Sequence, residues 1–186
     1  MSDFDVIVVG GGHAGCEAAL AAARLGVRTA LVTLSLNKIS RMSCNPSIGG
    51  IAKAHLVSEV DALGGEIGVN ADLTGIQFRT LNTRKGPAVR STRIQCDKEV
   101  YPARMLALLK RVGGLTLIEG EARGLLFRNG RLAGVTMHRG CDWSAPKVIV
   151  CGGTFLGGII YIGKQSIPGG RYGDPVSESL SISLKG

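Results

Sequence analysis

Residues 4–35 read FDVIVVGGGHAGCEAALAAARLGVRTALVTLS, and this stretch decides the fold. The apolar run at 4–9 predicts a strand buried on both faces of a parallel sheet. Residues 16–25 are rich in Ala and Leu, which predicts a helix, and 27–34 predict a second strand. The loop at 10–15 satisfies the pattern G-x-G-x-x-G. A strand, a glycine loop, a helix and a strand in this order predict a βαβ unit that binds a dinucleotide.

The glycine loop has a distinct requirement at each of its fixed positions. Gly10 makes the tight turn, Gly12 lets a pyrophosphate approach the backbone, and Gly15 lets the helix pack closely on the strand. The N-terminus of the helix offers unpaired N–H groups and a positive dipole end to the phosphates. We interpret His13 as a loop residue beside the cofactor, because no second residue lies at metal-ligand spacing. The predicted cofactor-binding residues of this loop are Gly10, Gly11, Gly12, His13, Ala14 and Gly15.

The end of the second predicted strand lacks one expected group. In dinucleotide-binding folds a carboxylate at this place binds the ribose hydroxyls. Here the strand ends in the residues Val-Thr-Leu-Ser at 32–35, which offer hydroxyl groups and no acid. Either Thr33 or Ser35 is able to make a single hydrogen bond instead, so the ribose contact stays open at this point.

A second motif, RMSCNPSIGGIAKAHLVSEVDALGG, spans residues 41–65 and places Cys44 in a Ser-Cys-Asn-Pro turn. The sequence predicts a helix over 48–63, directly after this turn. A thiol near a helix N-terminus is favoured as the nucleophilic thiolate, and Arg41 and Lys53 add positive charge. A buried structural cysteine explains the same spacing equally well.

The positive charge of the chain is concentrated in residues 79–111. The formal net charge is +8, and this segment holds nine Lys or Arg and two acidic residues. A helix is predicted over 92–112, with a kink or break at Pro102. A concentrated basic block suits a polyanion, either nucleic acid or cofactor phosphates, although a solvated basic helix face gives the same pattern. The candidate phosphate-binding residues are Arg79, Arg84, Lys85, Arg90 and Arg93.

The chain after the basic block predicts an antiparallel meander and a strand that returns to the parallel sheet. A strand is predicted at 115–119, and Asn129-Gly130 is a strong turn signal between two strands within 125–137. The apolar run at 147–151 predicts another buried strand that ends at a Gly-Gly pair. An antiparallel insertion in a dinucleotide-binding fold points to flavin enzymes more than to nicotinamide dehydrogenases.

Composition and cysteine spacing argue against several classes of protein. No apolar run reaches the roughly 18 residues that a membrane span needs, and the N-terminus lacks the basic region of a signal peptide. Five cysteines without C-x-x-C spacing argue against a zinc ribbon, a redox dithiol and a secreted disulfide framework. A flavin disulfide reductase requires a C-x-x-x-x-C pair after the first helix, and this sequence has none. The sequence therefore predicts a cytoplasmic protein.

Four motifs together resemble the N-terminal part of the glucose-inhibited division protein A family (GidA/MnmG). They are GGGHAGCEAALAAARLG, MSCNPSIGGIAKAHLVSEVDALGG, GIQFRTLNTRKGPAVRSTR and GGTFLGGIIYIG. The similarity covers nearly the whole chain to about Ser177, and the second and third motifs are highly specific. Members of this family are FAD-dependent tRNA uridine 5-carboxymethylaminomethyl modification enzymes.

The resemblance implies a Rossmann-like α/β FAD-binding fold of the glutathione-reductase type, with a parallel central sheet and an inserted antiparallel β-meander. It implies modification of the wobble uridine of tRNA, with FAD as cofactor and NADH and methylenetetrahydrofolate as co-substrates. A tRNA-modification GTPase (MnmE-like) is the implied partner, and a homodimer is the implied assembly.

The resemblance also implies roles for individual residues. Carried over by position, Ala122 and Ser177 join residues 10–15 at the FAD. Cys44 would act on the uracil ring near the flavin, as nucleophile at the sixth carbon of the ring or as an acid/base. The basic residues over 79–93 would then face tRNA phosphates.

Under this interpretation the chain is the N-terminal part of an FAD-binding domain. It divides into the βαβ unit at 1–35, the cysteine turn and basic helical segment at 41–112, the meander and return strand at 115–155, and the start of an insertion at 156–186. Family members are longer, so the resemblance implies that the fold is incomplete in this chain. The alternative is a non-catalytic flavin- or RNA-binding fragment of such an enzyme.

Overall fold

The computed structural model describes residues 2–42, 45–174 and 176–185. Within these residues the strands are β1 (Val6–Val9), β2 (Thr29–Thr33), β3 (Ser47–Gly49), β4 (Gly75–Leu81), β5 (Ser91–Cys96), β6 (Leu115–Glu119), β7 (Ala122–Arg128), β8 (Arg131–Met137), β9 (Trp143–Ser144), β10 (Val148–Val150), β11 (Ile159–Ile162) and β12 (Gln165–Pro168). The α-helices are α1 (His13–Arg24), α2 (Lys53–Ala62), α3 (Ile67–Thr74), α4 (Val100–Leu109) and α5 (Glu178–Ser183). No helix among the described residues has the length and apolar character that crossing a membrane requires.

The centre of the molecule is a parallel sheet with the strand order β10-β1-β2-β6. Ile7 of β1 lies opposite Ala30 of β2 on one side and Val148 of β10 on the other. Every residue of β2 is buried, as expected for a strand covered on both faces. This topology confirms the predicted Rossmann-like α/β fold.

The two faces of the parallel sheet are covered by different kinds of element. On one face, Leu20 of α1 and Met105 of α4 pack against Val8 and Leu31 of the sheet. On the other face, residues of the meander and of α5, such as Val135 and Leu180, pack against Val32 and its neighbours. The carboxyl ends of β1, β2, β6 and β10 are therefore held together at one edge of a closed core.

The prediction of a helix over 48–63 is wrong for the first residues of this segment. Residues Ser47–Gly49 form β3, and the helix α2 begins only at Lys53. Gly49, Gly50 and Ala52 have positive φ angles of 85°, 101° and 63°, which a right-handed helix does not allow. The turn between β3 and α2 is therefore made by left-handed backbone, and the Gly-Gly pair permits it.

The prediction of a helix over 92–112 is also wrong for the first residues of its segment. Ser91–Cys96 is the strand β5, which pairs with β3 and β4, and α4 begins at Val100. The predicted break at Pro102 is absent from α4, because this proline lies in the first turn of the helix, where no N–H is needed for an intrahelical bond. Asp97 accepts hydrogen bonds of 2.9 Å from the backbone N–H groups of Glu99 and Val100, so it caps the start of this helix.

The predicted antiparallel meander is confirmed. Strands β7, β8 and β9 form an antiparallel sheet, and Asn129 and Gly130 turn between β7 and β8 with φ angles of 51° and 73°. Positive φ at both positions is the backbone of a type I′ hairpin turn, which this dipeptide favours. The return strand β10 then pairs with β1, and the following hairpin β11–β12 forms a separate two-stranded sheet.

A polar network ties α1, α3 and α4 together beside the parallel sheet. The carboxylate of Glu17 in α1 accepts hydrogen bonds from the backbone N–H groups of Glu66 (2.8 Å) and Ile67 (2.6 Å) at the start of α3. The buried carboxylate of Glu66 pairs in turn with Arg24 of α1 at 3.1 Å and Arg104 of α4 at 2.8 Å. Glu17 thus acts as a cap for α3 from 49 positions earlier in the sequence.

We expect Glu17→Ala to lower the free energy of unfolding by about 1–2 kcal/mol, because two N–H groups at the start of α3 lose their acceptor. Urea denaturation followed by circular dichroism measures this change. Glu59→Ala, which removes an exposed carboxylate from α2, is the matched control and should change the stability by less than about 0.5 kcal/mol. Equal effects of the two replacements would contradict the capping role.

Candidate functional site

The loop between β1 and α1 is built around two glycines that have no room for a side chain. Gly10 has a φ angle of 115°, and a Cβ there would overlap the carbonyl group of Cys151 at the end of β10. A Cβ on Gly15 would overlap the carbonyl oxygen of Gly10. Gly12 differs from both, because nothing lies within 4 Å of the place that its Cβ would take. The backbone of Gly12 therefore faces open space at the N-terminus of α1.

A cleft of about 320 Å³ lies in front of this loop, at the carboxyl ends of the parallel strands. Ligands of open α/β sheets bind at this edge. Six of the eight predicted cofactor residues line the cleft, namely Gly10, Gly11, Gly12, His13, Ala122 and Ser177. The other two, Ala14 and Gly15, are on α1 and are not among the described lining residues. The structure thus brings together the glycine loop and two residues more than 100 positions away.

The ends of β2 and β6 present polar groups to the cleft. Thr33 and Ser35, the two hydroxyl residues considered for the ribose, both line it. Glu121 lines it as well, and its carboxylate accepts a hydrogen bond of 3.1 Å from the hydroxyl of Ser177. Glu121 was not predicted from the sequence, although an acid just after the strand next to β2 was an available signal. The cleft therefore contains a carboxylate, which comes from the segment between β6 and β7 and not from the end of β2.

A second group of residues that the sequence analysis missed lines the cleft from the segment before α5. Asp174 forms ion pairs with Lys38 and, at 3.3 Å, with Arg171. Hydrogen bonding to Lys38 is the main cause that holds the pKa of Asp174 below its usual range, so the carboxyl is ionised at neutral pH. Arg171 also donates to the carbonyl oxygen of Arg41 at 3.2 Å. These contacts fasten the segment around residue 171 to the chain after β2.

His13 is the first residue of α1 and not a loop residue as predicted. The helix begins immediately after Gly12, whose carbonyl accepts the hydrogen bond of Cys16 at 2.9 Å. The imidazole lies 5.6 Å, centroid to centroid, from the ring of Tyr101. Burial lowers the pKa of His13, so the ring is neutral at pH 7. Within the described ranges, no group of three or more His, Cys, Asp or Glu side chains is arranged to hold a metal ion.

The cysteines differ in their surroundings. Cys16 is a buried residue of α1, and burial raises the pKa of its thiol to about 11. Burial also raises the pKa values of Cys96 and Cys151. These three thiols are therefore disfavoured as thiolates, as expected for structural cysteines. Cys44 lies outside the described residues, so its predicted role stays a prediction.

The five candidate phosphate-binding residues all lie on the hairpin formed by β4 and β5. Arg79 and Arg93 lie directly opposite each other on the two strands. The other three are exposed in the connecting loop, which is closed by a hydrogen bond of 3.0 Å from the amide of Asn82 to the carbonyl of Val89. We call this loop, residues 82–90, the hairpin tip. None of the five is among the described residues that line the cleft, so the structure separates the basic block from the glycine loop.

A family model described as "Glucose inhibited division protein A" matches residues 5–186. The chain belongs to the glucose inhibited division protein A family. It is 54% identical over 182 residues to the tRNA uridine 5-carboxymethylaminomethyl modification enzyme MnmG of Geobacter sulfurreducens. The aligned residues make up 98% of this chain and 29% of that protein. The structure of Aquifex aeolicus GidA matches with a TM-score of 0.93 at 50% identity, covering 99% of this chain and 30% of that one.

These relatives of the glucose inhibited division protein A family confirm the resemblance that the four motifs carry. The chain spans less than a third of the length of each of these two relatives. A more distant likeness, to the Pseudomonas aeruginosa protein pqsL, "a probable FAD-dependent monooxygenase", has a TM-score of 0.54 at 14% identity. It covers 78% of this chain and 41% of that one, and it shows the fold alone.

We expect Gly15→Ala to destabilise the fold by about 3 kcal/mol, because the new methyl group overlaps the backbone of Gly10. Gly12→Ala is the matched control, since its backbone is extended and its Cβ has free space. It should lower the free energy of unfolding by no more than about 1 kcal/mol, because Gly12 is the N-cap of α1 and alanine is a poorer N-cap than glycine. Thermal unfolding of the two variants checks the contrast, and equal stabilities would show that α1 does not need its close approach to β1.

Proposed function

We propose that this chain is the FAD-binding and tRNA-contacting part of an enzyme that adds a carboxymethylaminomethyl (or aminomethyl) group at C5 of the wobble uridine of tRNA. The observation that carries the proposal is the 54% identity over 182 residues to an enzyme whose name states a tRNA uridine 5-carboxymethylaminomethyl modification. The cleft at the strand ends and the basic hairpin are the two binding surfaces that such an enzyme needs.

The lining of the cleft fits FAD. Gly12 is exposed at the N-terminus of α1 and Gly11 lines the cleft beside it, where N–H groups and the helix dipole stabilise a pyrophosphate. The hydroxyl of Thr33 and the carboxylate of Glu121 are suited to the hydroxyls of a ribose, and Ala122 leaves space beside them. When bound, FAD supplies the means to accept and return reducing equivalents.

Cys44 is the proposed catalytic residue of the chain, as nucleophile at the sixth carbon of the uracil ring or as an acid/base. The pKa values of Cys16, Cys96 and Cys151 are raised by burial, so these thiols are poorly suited to attack. Cys44 is three positions before Ser47, the first residue of β3. A thiol that attacks the ring forms a C–S bond, which must break again when the modified base is released.

The remaining parts of the reaction belong to the whole protein. We propose NADH as the source of reducing equivalents and methylenetetrahydrofolate as the donor of the one-carbon unit. A tRNA-modification GTPase (MnmE-like) is the proposed partner, a homodimer the proposed assembly and the cytoplasm the proposed location. The family membership supports these proposals, since they are properties that the resemblance implies.

The hairpin of β4 and β5 is the proposed contact with tRNA phosphates. Like charges directly opposite each other destabilise a strand pair, and Arg79 and Arg93 are such a pair. A bound phosphate removes this repulsion and gains charge-assisted hydrogen bonds with both guanidinium groups. The exposed cations of the hairpin tip, Arg84, Lys85 and Arg90, extend the same positive surface. A basic surface of this kind binds the nucleic acid backbone without reading its sequence.

A chimera tests the catalytic proposal directly. We expect that replacing the aligned 182 residues of the Geobacter sulfurreducens enzyme with this chain yields a protein that binds flavin and modifies tRNA. Cys44→Ser in the chimera should abolish modification, while the flavin absorption spectrum of the purified protein stays unchanged. Mass spectrometry of tRNA nucleosides measures the modification.

The control for this experiment is Cys141→Ser, which replaces an exposed thiol in the loop between β8 and β9 and should leave the modification intact. Modification by the Cys44→Ser chimera would disprove the catalytic role of this residue. A chimera that binds flavin and tRNA but modifies nothing would instead favour the non-catalytic alternative.

The hairpin tip makes a separate prediction about salt. We expect Arg84→Gln and Lys85→Gln each to weaken tRNA binding and to reduce the slope of log K against log salt by about 1, because each releases one fewer counterion. Fluorescence anisotropy with labelled tRNA at several salt concentrations measures this slope. Lys164→Gln, at the exposed turn of the β11–β12 hairpin, is the matched control and should leave the slope unchanged. Unchanged slopes in all three variants would identify the tip as a solvated surface.

A further inference from the structure

The three-stranded sheet β3-β5-β4 has one apolar face and one polar face. The residues Ile48, Ile94 and Phe78 lie side by side across the three strands. Ile94 is buried against α3 and Ile48 is partly buried, whereas Phe78 on the outer strand is 55% exposed. Since successive side chains alternate between the faces of a strand, the neighbouring rows point away from this core. The apolar row therefore defines which side of the sheet is left for contacts with other molecules.

The polar face consists of two rows of side chains. One row is Ser47, Gln95 and Gln77, in the order of the strands. The next row is Gly49, Arg93 and Arg79. Because Gly49 has no side chain, nothing from β3 in this row covers the side chain of Arg93. Two residues along a strand span about 7 Å, which places the amide row and the guanidinium row within reach of one nucleotide. We call Gln95 and Gln77 the amide row, and Arg93 and Arg79 the guanidinium row.

The guanidinium row is charged and available for an anion. Arg79 is exposed and Arg93 is half-buried. In the parts of the chain that the structure describes, none of the ion pairs includes either residue. Two directly opposed guanidinium groups favour a bidentate phosphate ligand between them.

The amide row is oriented by the guanidinium row. Arg93 donates a hydrogen bond of 3.2 Å to the side-chain oxygen of Gln95. This bond engages the acceptor of Gln95 and leaves its amide N–H groups to donate to a ligand. Gln77, directly opposite, is exposed and offers both an acceptor and donors.

A row that presents donors distinguishes the two pyrimidines of RNA. Uracil, like thymine, carries an acceptor oxygen at position 4, where cytosine carries an amino group that donates. An amide N–H of Gln95 matches the oxygen of uracil and opposes the amino group of cytosine. Unpaired bases in RNA loops present this edge to proteins, whereas bases in a helix do not.

We propose that the polar face of the β3-β5-β4 sheet binds one unpaired uridine nucleotide of RNA, with the guanidinium row on its phosphate and the amide row on its base. This inference rests on the proposed tRNA function and adds to it the residues that select the base. It also divides the basic block: Arg79 and Arg93 hold the selected nucleotide, whereas the hairpin tip contacts the backbone elsewhere.

The test compares two short stem-loop RNAs that differ only in uridine or cytidine at the wobble position of the loop. Fluorescence anisotropy measures the binding of each RNA to the whole chain. We expect the wild type to favour the uridine RNA by about tenfold, the size of one well-placed base contact. Gln95→Glu should reverse the preference, because a carboxylate accepts from the amino group of cytosine.

Three further variants keep the result decisive. Gln95→Ala, which removes the amide donors without adding a charge, should abolish the preference for uridine even where the Gln95→Glu variant fails to fold. Arg79→Gln should weaken the binding of both RNAs and leave their ratio unchanged. Arg84→Gln at the hairpin tip is the control. It should weaken the binding of both RNAs equally, because this side chain contacts only the phosphate backbone of the RNA.

The outcomes separate this inference from the proposed function. A wild-type chain that binds both RNAs equally well, or glutamine variants that keep the full preference for uridine, would overturn the inference and leave the tRNA contact standing. A wild-type chain that binds neither RNA would overturn the proposed tRNA contact, and the inference would fall with it.

Discussion

The close approach of α1 to the ends of β1 and β10 is the contact on which the rest of the structure depends. Gly15 lies against the carbonyl oxygen of Gly10, and Gly10 lies against the carbonyl group of Cys151, with no space for a side chain at either glycine. This packing sets the distance between the N-terminus of α1 and the strand ends. Both the floor of the cleft and the direction of the helix dipole toward it follow from that distance.

Charge is distributed differently on the two candidate binding surfaces. At the cleft, Lys38 and Arg171 share the carboxylate of Asp174, so part of the positive charge there is neutralised within the protein. On the β4–β5 hairpin, Arg79 and Arg93 oppose each other across the strands. A surface of the first kind is preorganised for a ligand with mixed polarity, whereas one of the second kind is completed by an external anion. The two surfaces are therefore suited to different molecules.

The region between the cysteine turn and α4 shows where local pattern and tertiary structure disagree. The segment Ser91–Cys96 reads locally as the start of a basic helix, but it pairs on both sides with β3 and β4. Ladder hydrogen bonds with two neighbours and the burial of Ile94 outweigh a weak helical preference. The misplaced helix start made Pro102 look like a break, although proline suits the first turn in which it lies.

The sequence by itself determined the βαβ unit, the glycine loop, the meander turn at Asn129-Gly130 and membership of the family, because these depend on neighbours along the chain and on contiguous motifs. It did not reveal that Glu17 caps α3, that Glu121 meets Ser177 at the cleft, or that Lys38 pairs with Asp174 from 136 positions away. Only the tertiary structure decided these contacts, since side chains far apart in sequence meet only after the sheet, helices and hairpins have packed. The division of the basic block into a strand pair and a hairpin tip has the same origin, because strand register and not sequence spacing sets which charges lie opposite each other.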